Sequence, residues 1–273
     1  MLVGNPTFNL TEAQQRAAVA QLGLKGQQSP VVSAPSTAAV QSAQRSAGAP
    51  GAALNPLPGT QLEVNAVNKL LGASGWQVTA YTGDRALKEA VDAVRSPRLV
   101  HLATHGFFLS DQVIATRGHG ASSQSAPIVD PMLRSGLFFA GADRTESGAG
   151  PVAGVSDGVL TAYEASQLDL QGTELVVLSA CETGLGQQSN GEGVFGLRRG
   201  LQEAGADAVM MSMWSVPDQE TQELMTLFYA NWLRGLEKPE ALREAQMKER
   251  EVVRQRYGKD LPFYWGAFVL VSR

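Results

Sequence analysis

Two stretches decide the fold: Arg98-Leu-Val-His-Leu-Ala-Thr-His-Gly106 and Glu174-Leu-Val-Val-Leu-Ser-Ala-Cys181. Each is a short, nearly continuous apolar run, the pattern of a strand covered on both faces by other layers. Each is followed at once by a residue able to do chemistry, His105 after the first and Cys181 after the second. In open parallel sheets, binding and catalytic groups collect just beyond the carboxyl ends of the strands, where the loops leave a crevice above a rigid floor. If these two strands are neighbours, their ends lie ~4.8 Å apart, and side chains from the adjoining loops come within proton-transfer reach.

Outward from this pair the chain alternates strands and helices. Met1 to Pro6 reads as a strand stopped by the Asn5-Pro6 turn. Leu10 to Leu22 has helical composition, with Thr11 as N-cap. Residues 24–56 are dominated by Ala, Ser, Gln, Gly and Pro, so a flexible insertion is expected there. Leu62, Ala66, Leu70 and Leu71 share a helical face, Trp76 to Tyr81 alternates as a strand, and Ala86 to Val94 is amphipathic. A second Gly/Ser-rich insertion spans 110–158, with one hairpin signal at Gly136-Leu-Phe-Phe-Ala140, and Leu160 to Leu168 reads as a short helix. Beyond Cys181, Gly184 to Gly193 is Gly-rich. A helix from Val194 to Glu203, a strand from Asp207 to Met213, helices at Asp218 to Leu233 and Pro239 to Arg256, and a last strand from Gly266 to Val271 complete the chain. This order predicts an α/β domain of three layers, a mainly parallel sheet between helices, occupying 1–273 as one unit. A chain that opens inside a core strand also predicts further domains upstream.

Composition narrows the chemistry. Lys and Arg number 22 against 26 Asp and Glu, with a sequence pI of about 5.5, which gives no electrostatic reason to expect nucleic acid or an anionic membrane. There is no signal-peptide pattern and no apolar run near the ~20 residues that cross a bilayer, so a cytoplasmic protein is expected. One cysteine and three histidines exclude an internal disulfide and leave too few soft ligands for a structural zinc site; no metal or cofactor is expected.

A free thiol titrates near ~8.5 and needs a base to deliver thiolate at the moment of attack. Imidazole takes that proton near neutral pH and returns it to a leaving amine, which assigns nucleophile to Cys181 and proton transfer to His105. The backbone N–H groups of Gly106 and Cys181 are the natural oxyanion donors, because a glycine lets backbone approach closely. Taken alone, a cysteine after an apolar strand is more often a packing residue. Cys181, however, lies past its strand and opens Cys181-Glu-Thr-Gly-Leu-Gly186, where the glycines promise an exposed loop. His101 reads as a hydrogen-bonded core histidine, His119 as solvated, and Arg198 and Arg199 as a surface face or a partner contact.

Val100-His-Leu-Ala-Thr-His-Gly-Phe-Phe108 and Val177-Leu-Ser-Ala-Cys-Glu-Thr-Gly184 resemble the CHAT family, caspase-like domains often found behind tetratricopeptide repeats. So do Leu57-Pro-Gly-Thr60, Gly191-Glu-Gly-Val-Phe-Gly196, Gly205-Ala-Asp-Ala208, Met213-Trp-Ser-Val-Pro-Asp218 and Trp265-Gly-Ala-Phe-Val-Leu270. The resemblance covers nearly the whole chain outside the two insertions. It implies a caspase-like fold with a six-stranded mostly parallel sheet, and hydrolysis of a peptide bond in a protein or peptide substrate without a metal. It maps the catalytic pair onto His105 and Cys181, and implies an N-terminal tetratricopeptide-type regulatory region or partner. In such relatives the segment after the fifth strand lines the substrate cleft, which places Trp214, Ser215 and Asp218 beside a bound peptide. Their ordinary alternative is that Trp214 packs the core edge and Asp218 caps its helix. Metacaspase-like relatives carry an acid two residues before the cysteine and prefer basic substrates; Ser179 stands there in this chain, and the resemblance counts it among the substrate-binding residues. Asp218 is the residue left to supply that charge, which predicts a mild preference for Arg or Lys. A regulated peptidase, a non-catalytic scaffold and a small-molecule thiol hydrolase or acyltransferase all fit the fold. Intact reactive residues favour the first.

Overall fold

Leu99, Leu175, Val177, Ala208 and Met210 face one way from the sheet, while Val100, Leu102, Val176, Leu178, Val209 and Met211 face the other. All are buried, so both faces are covered. The computed structural model describes residues 1–24, 53–108, 131–133, 135–146, 154–180, 192–214 and 217–273. Cys181, Ser215 and His119 lie outside them, as do most of the two insertions and the Gly184 to Gly193 stretch.

The strands of the main sheet are β1 (Leu2–Pro6), β2 (Ala80–Gly83), β3 (Leu99–Ala103), β7 (Leu175–Leu178), β8 (Ala208–Ser212) and β9 (Phe268–Ser272). They lie in the order β2-β1-β3-β7-β8-β9, all parallel except β9, which runs antiparallel to β8. This is the six-stranded, mostly parallel sheet of a caspase-like α/β fold. On one face pack α2 (Pro58–Ala73), α7 (Asp218–Leu233) and α8 (Lys238–Tyr257), through Val64, Val67, Leu71, Leu224, Phe228, Leu242 and Ala245. The other face holds α3 (Lys88–Asp92), α5 (Ala162–Ala165) and α6 (Glu192–Glu203), through Val91, Ala162, Leu197 and Leu201. Each such Leu or Val contributes about 1.5–3 kcal/mol by leaving water. A small antiparallel sheet of β4 (Gly106–Phe108), β5 (Ser135–Phe138) and β6 (Val159–Thr161) stands next to the carboxyl end of β3. The remaining helices are α1 (Glu12–Gln21), α4 (Ala142–Glu146) and α9 (Pro262–Trp265). Among the described residues, no helix is long and apolar enough to cross a membrane.

Several elements depart from the sequence reading. Asn5 and Pro6 do not stop β1. Asn5 takes a left-handed φ of 47°, the ladder shifts register there, and Pro6 still pairs with Gly83. The strand expected from Trp76 to Tyr81 is confined to Ala80–Gly83, because Trp76 turns aside to pack edge-on against Trp232 and under the Arg98 guanidinium. Leu160 belongs to β6, and the helix begins only at Ala162, after Thr161 and Glu164 close a capping box. The 110–158 stretch is not a flexible insertion throughout. Ser135–Phe138 forms the central strand of the small sheet, because Leu137, Phe138 and Phe139 are fully buried. Residues 53–56, the tail of the first insertion, dock on the site.

The α7–α8 interface holds an imbalance of charge. Arg256 donates to Glu220 at 2.6 Å and to Glu223 at 2.8 and 2.9 Å. Glu249 is fully buried, and neither of its oxygens has an aligned hydrogen bond. Burial, then the neighbouring Glu223, pushes the Glu249 carboxyl from 4.5 to about 7. Between those values the folded chain holds a proton that the unfolded chain has released, so Glu249 makes stability fall as pH rises through that window and levels off above it. Glu249→Gln is expected to flatten this slope and raise the melting temperature at pH 8 relative to wild type. Parallel melting curves for the two proteins from acid to alkaline pH would refute the assignment.

Candidate active site

The strands that precede the two candidate residues in the sequence are neighbours. β3 pairs directly with β7, Leu99 opposite Leu175 and Leu102 opposite Leu178, and the Ser179 N–H donates to the Leu102 carbonyl at 2.9 Å. His105 and Cys181 each stand three positions past the last of these pairs. The residues flanking them also meet. A β-carbon built on Gly106 would lie 3.8 Å from the Ala180 Cβ, an ordinary packing distance. Ala180 is fixed in turn by Ser212, whose hydroxyl donates to its carbonyl at 2.8 Å.

His105 is half-buried, with its ring 5.3 Å from that of Phe8. Its Nε2 lies 2.9 Å from the Asn55 carbonyl oxygen. A carbonyl only accepts, so Nε2 carries the proton and Nδ1 keeps the lone pair. Nδ1 is therefore the basic nitrogen. Burial holds the His105 imidazole below its ordinary 6.5, against the opposing pull of the Asn55 carbonyl and the Asp218 and Asp143 carboxylates. The sequence reading found no acid for this histidine. The fold supplies two, from α7 and α4.

Asp218 is exposed and begins α7, whose N-cap position is Pro217, so it is not the capping residue. Its side chain lies on the first turn of α2, where a β-carbon on Gly59 would fall 2.1 Å from the Asp218 Oδ2. Only glycine admits that approach, and the unpaired amides of a helix start favour a carboxylate there. Trp214 is partly exposed just past β8, and its Nε1–H donates to the Phe263 carbonyl of α9 at 2.9 Å.

Ser179 sits elsewhere than a cleft wall. It is 6% exposed, and its hydroxyl donates to Glu63 Oε2 at 3.0 Å beneath the sheet's end. Glu63 Oε1 lies 3.0 Å from His101 Nε2, and His101 Nδ1 lies 3.0 Å from the Tyr229 hydroxyl. His101 is thus the core histidine expected from the sequence. Arg199 is exposed and pairs with Glu203 within its own helix. Residues that sequence reasoning missed are Asn55, Asp143, Phe8 and Glu63. Asn55 acts through its backbone, which leaves no side-chain signal, and Glu63 is an acid among helical apolar positions, readable only as a solvated turn.

Tetratricopeptide repeat protein 28 of Mus musculus is 30% identical to this chain over 227 residues, covering 80% of the chain and 9% of that protein. Its Homo sapiens counterpart is 32% identical over 228 residues, covering 80% and 8%. The chain spans less than a tenth of the length of these relatives. The CHAT domain family matches residues 2–273, in agreement with the six-stranded sheet and the paired β3 and β7, and the chain belongs to that family.

Proposed function

We propose that this CHAT domain is a cysteine endopeptidase whose nucleophile is Cys181 and whose proton-transfer group is His105. The observation that supports the proposal is the direct pairing of β3 with β7, the strands that precede His105 and Cys181 in the sequence, with Ala180 3.8 Å from where a β-carbon on Gly106 would stand. Nδ1 of His105 takes the thiol proton as the Cys181 sulfur attacks the scissile carbonyl carbon. The backbone N–H groups of Gly106 and Cys181 receive the oxyanion. The tetrahedral intermediate collapses as His105 returns the proton to the leaving amine. Water then hydrolyses the thioester by the same proton transfers in reverse roles. Trp214, Ser215 and Asp218 flank an extended protein substrate, and the exposed Asp218 carboxylate favours Arg or Lys before the scissile bond. The names of the relatives support a link to tetratricopeptide repeats, and we read the domain as a regulated effector joined to, or governed by, such repeats, in the cytoplasm.

An electrophilic peptide probe with a basic residue beside its warhead is expected to label wild-type protein covalently, and not Cys181→Ala. A peptide library should return Arg or Lys at the same position, and an acidic or aliphatic preference would remove the role given to Asp218. A wild-type protein that takes no label would leave a caspase-like interaction module as the better reading.

A further inference from the structure

Residues 53–57 cross the His105 ring as a strap fixed at three places. The Asn55 carbonyl receives the His105 Nε2–H at 2.9 Å, and the Leu54 N–H donates to Asp143 Oδ1 at 2.9 Å. Leu54 and Leu57 pack on the cluster of Phe8, Phe107, Phe138, Ala142 and Val159. Only the φ and ψ angles of Leu54 and Asn55 separate the pinned N–H from the carbonyl that holds the histidine. Asp143 is itself anchored, because its own N–H donates to the Phe8 carbonyl at 3.1 Å, and the Phe8 ring leans on the His105 ring. The carboxylate, the strap and the imidazole therefore form one hydrogen-bonded series that ends on the His105 ring.

We infer that Asp143 is a positioning residue: by holding the Leu54 N–H it keeps the Asn55 carbonyl on Nε2, which leaves Nδ1 as the ring nitrogen with a lone pair. Its kinetic consequence rests on the peptidase reading; its structural consequence does not. The chain labelled with ¹⁵N-histidine is expected to show a protected Nε2–H resonance, assigned by its loss in His105→Gln. Asp143→Ala should speed solvent exchange of that proton at least tenfold. Misplacing a catalytic group by about 1 Å costs about a hundredfold in rate, so kcat should fall by about ten- to a hundredfold while KM stays unchanged. Asp143→Asn should restore both, since an amide oxygen still accepts from Leu54. Leu54→Pro, which deletes the donor without touching Asp143, should reproduce the faster exchange. An unaltered Nε2–H in Asp143→Ala and in Leu54→Pro would overturn the inference, as would Asp143→Asn failing as fully as Asp143→Ala. If wild type cleaves no peptide, the peptidase reading fails while the exchange measurement still decides the role of Asp143.

Discussion

His105→Gln is expected to lower kcat for peptide cleavage by between about a hundredfold and ten-thousandfold, the range supplied by a positioned general acid and base. Glutamine is the informative replacement because its amide N–H can still donate to the Asn55 carbonyl, so the strap keeps its partner and the fold is spared. What it lacks is a lone pair able to take the thiol proton. The melting temperature should therefore stay close to wild type while turnover collapses. In the wild-type protein, burial holds the imidazole below 6.5, so Nδ1 keeps its lone pair to lower pH than a free histidine would. The acidic limb of kcat/KM is expected below that value. Cleavage by His105→Gln at the wild-type rate would show that His105 is not the base, and an acidic limb well above 6.5 would contradict its buried setting.

The strand ends were readable because parallel strands covered on both faces must be largely apolar, and Leu99 to Ala103, His101 apart, and Leu175 to Leu178 are. That pattern located His105 and Cys181 without any contact information. Strand order was not readable, since β3 and β7 are distant in the chain and pair through side chains equally suited to other neighbours. The short strands of the small sheet were blurred for a different reason. Ser135 reads as a loop residue and Gly136 only opens a hairpin signal, yet Ser135 is fully buried, and a β-carbon on Gly136 would strike the Leu160 carbonyl at 2.5 Å. Composition there reflects close backbone approach and not freedom. Asn55 shows the limit most plainly, because any residue but none in particular supplies a carbonyl, and the Ala-, Ser- and Gly-rich stretch before it resembles linker.

Glu63→Ala is expected to destabilise the fold by about 3–5 kcal/mol, since it strands the buried Ser179 hydroxyl, removes the carboxylate beside His101 and opens a cavity. Glu63, His101 and Tyr229 are at most 2% exposed, so water cannot replace a lost partner. Burial and the Glu63 charge push the Tyr229 hydroxyl well above its usual range, so it stays protonated, 3.0 Å from His101 Nδ1. His101 Nε2 lies 3.0 Å from Glu63 Oε1 without aligned hydrogen-bond geometry, while Ser179 donates to Oε2. One carboxylate thus joins α2 to β3 and to the residue two places before Cys181, and through His101 to α7. Glu63→Gln separates charge from hydrogen bonding: its side chain keeps the volume beside His101, and its amide donates to Ser179 with the bond reversed, so its cost should stay near about 1 kcal/mol. Urea unfolding of the three proteins measures the difference directly. If Glu63→Ala costs no more than Glu63→Gln, the buried Ser179–Glu63 hydrogen bond does not hold the end of β7. If Glu63→Gln costs as much as Glu63→Ala, the charge on Glu63 and not its hydrogen bond dominates.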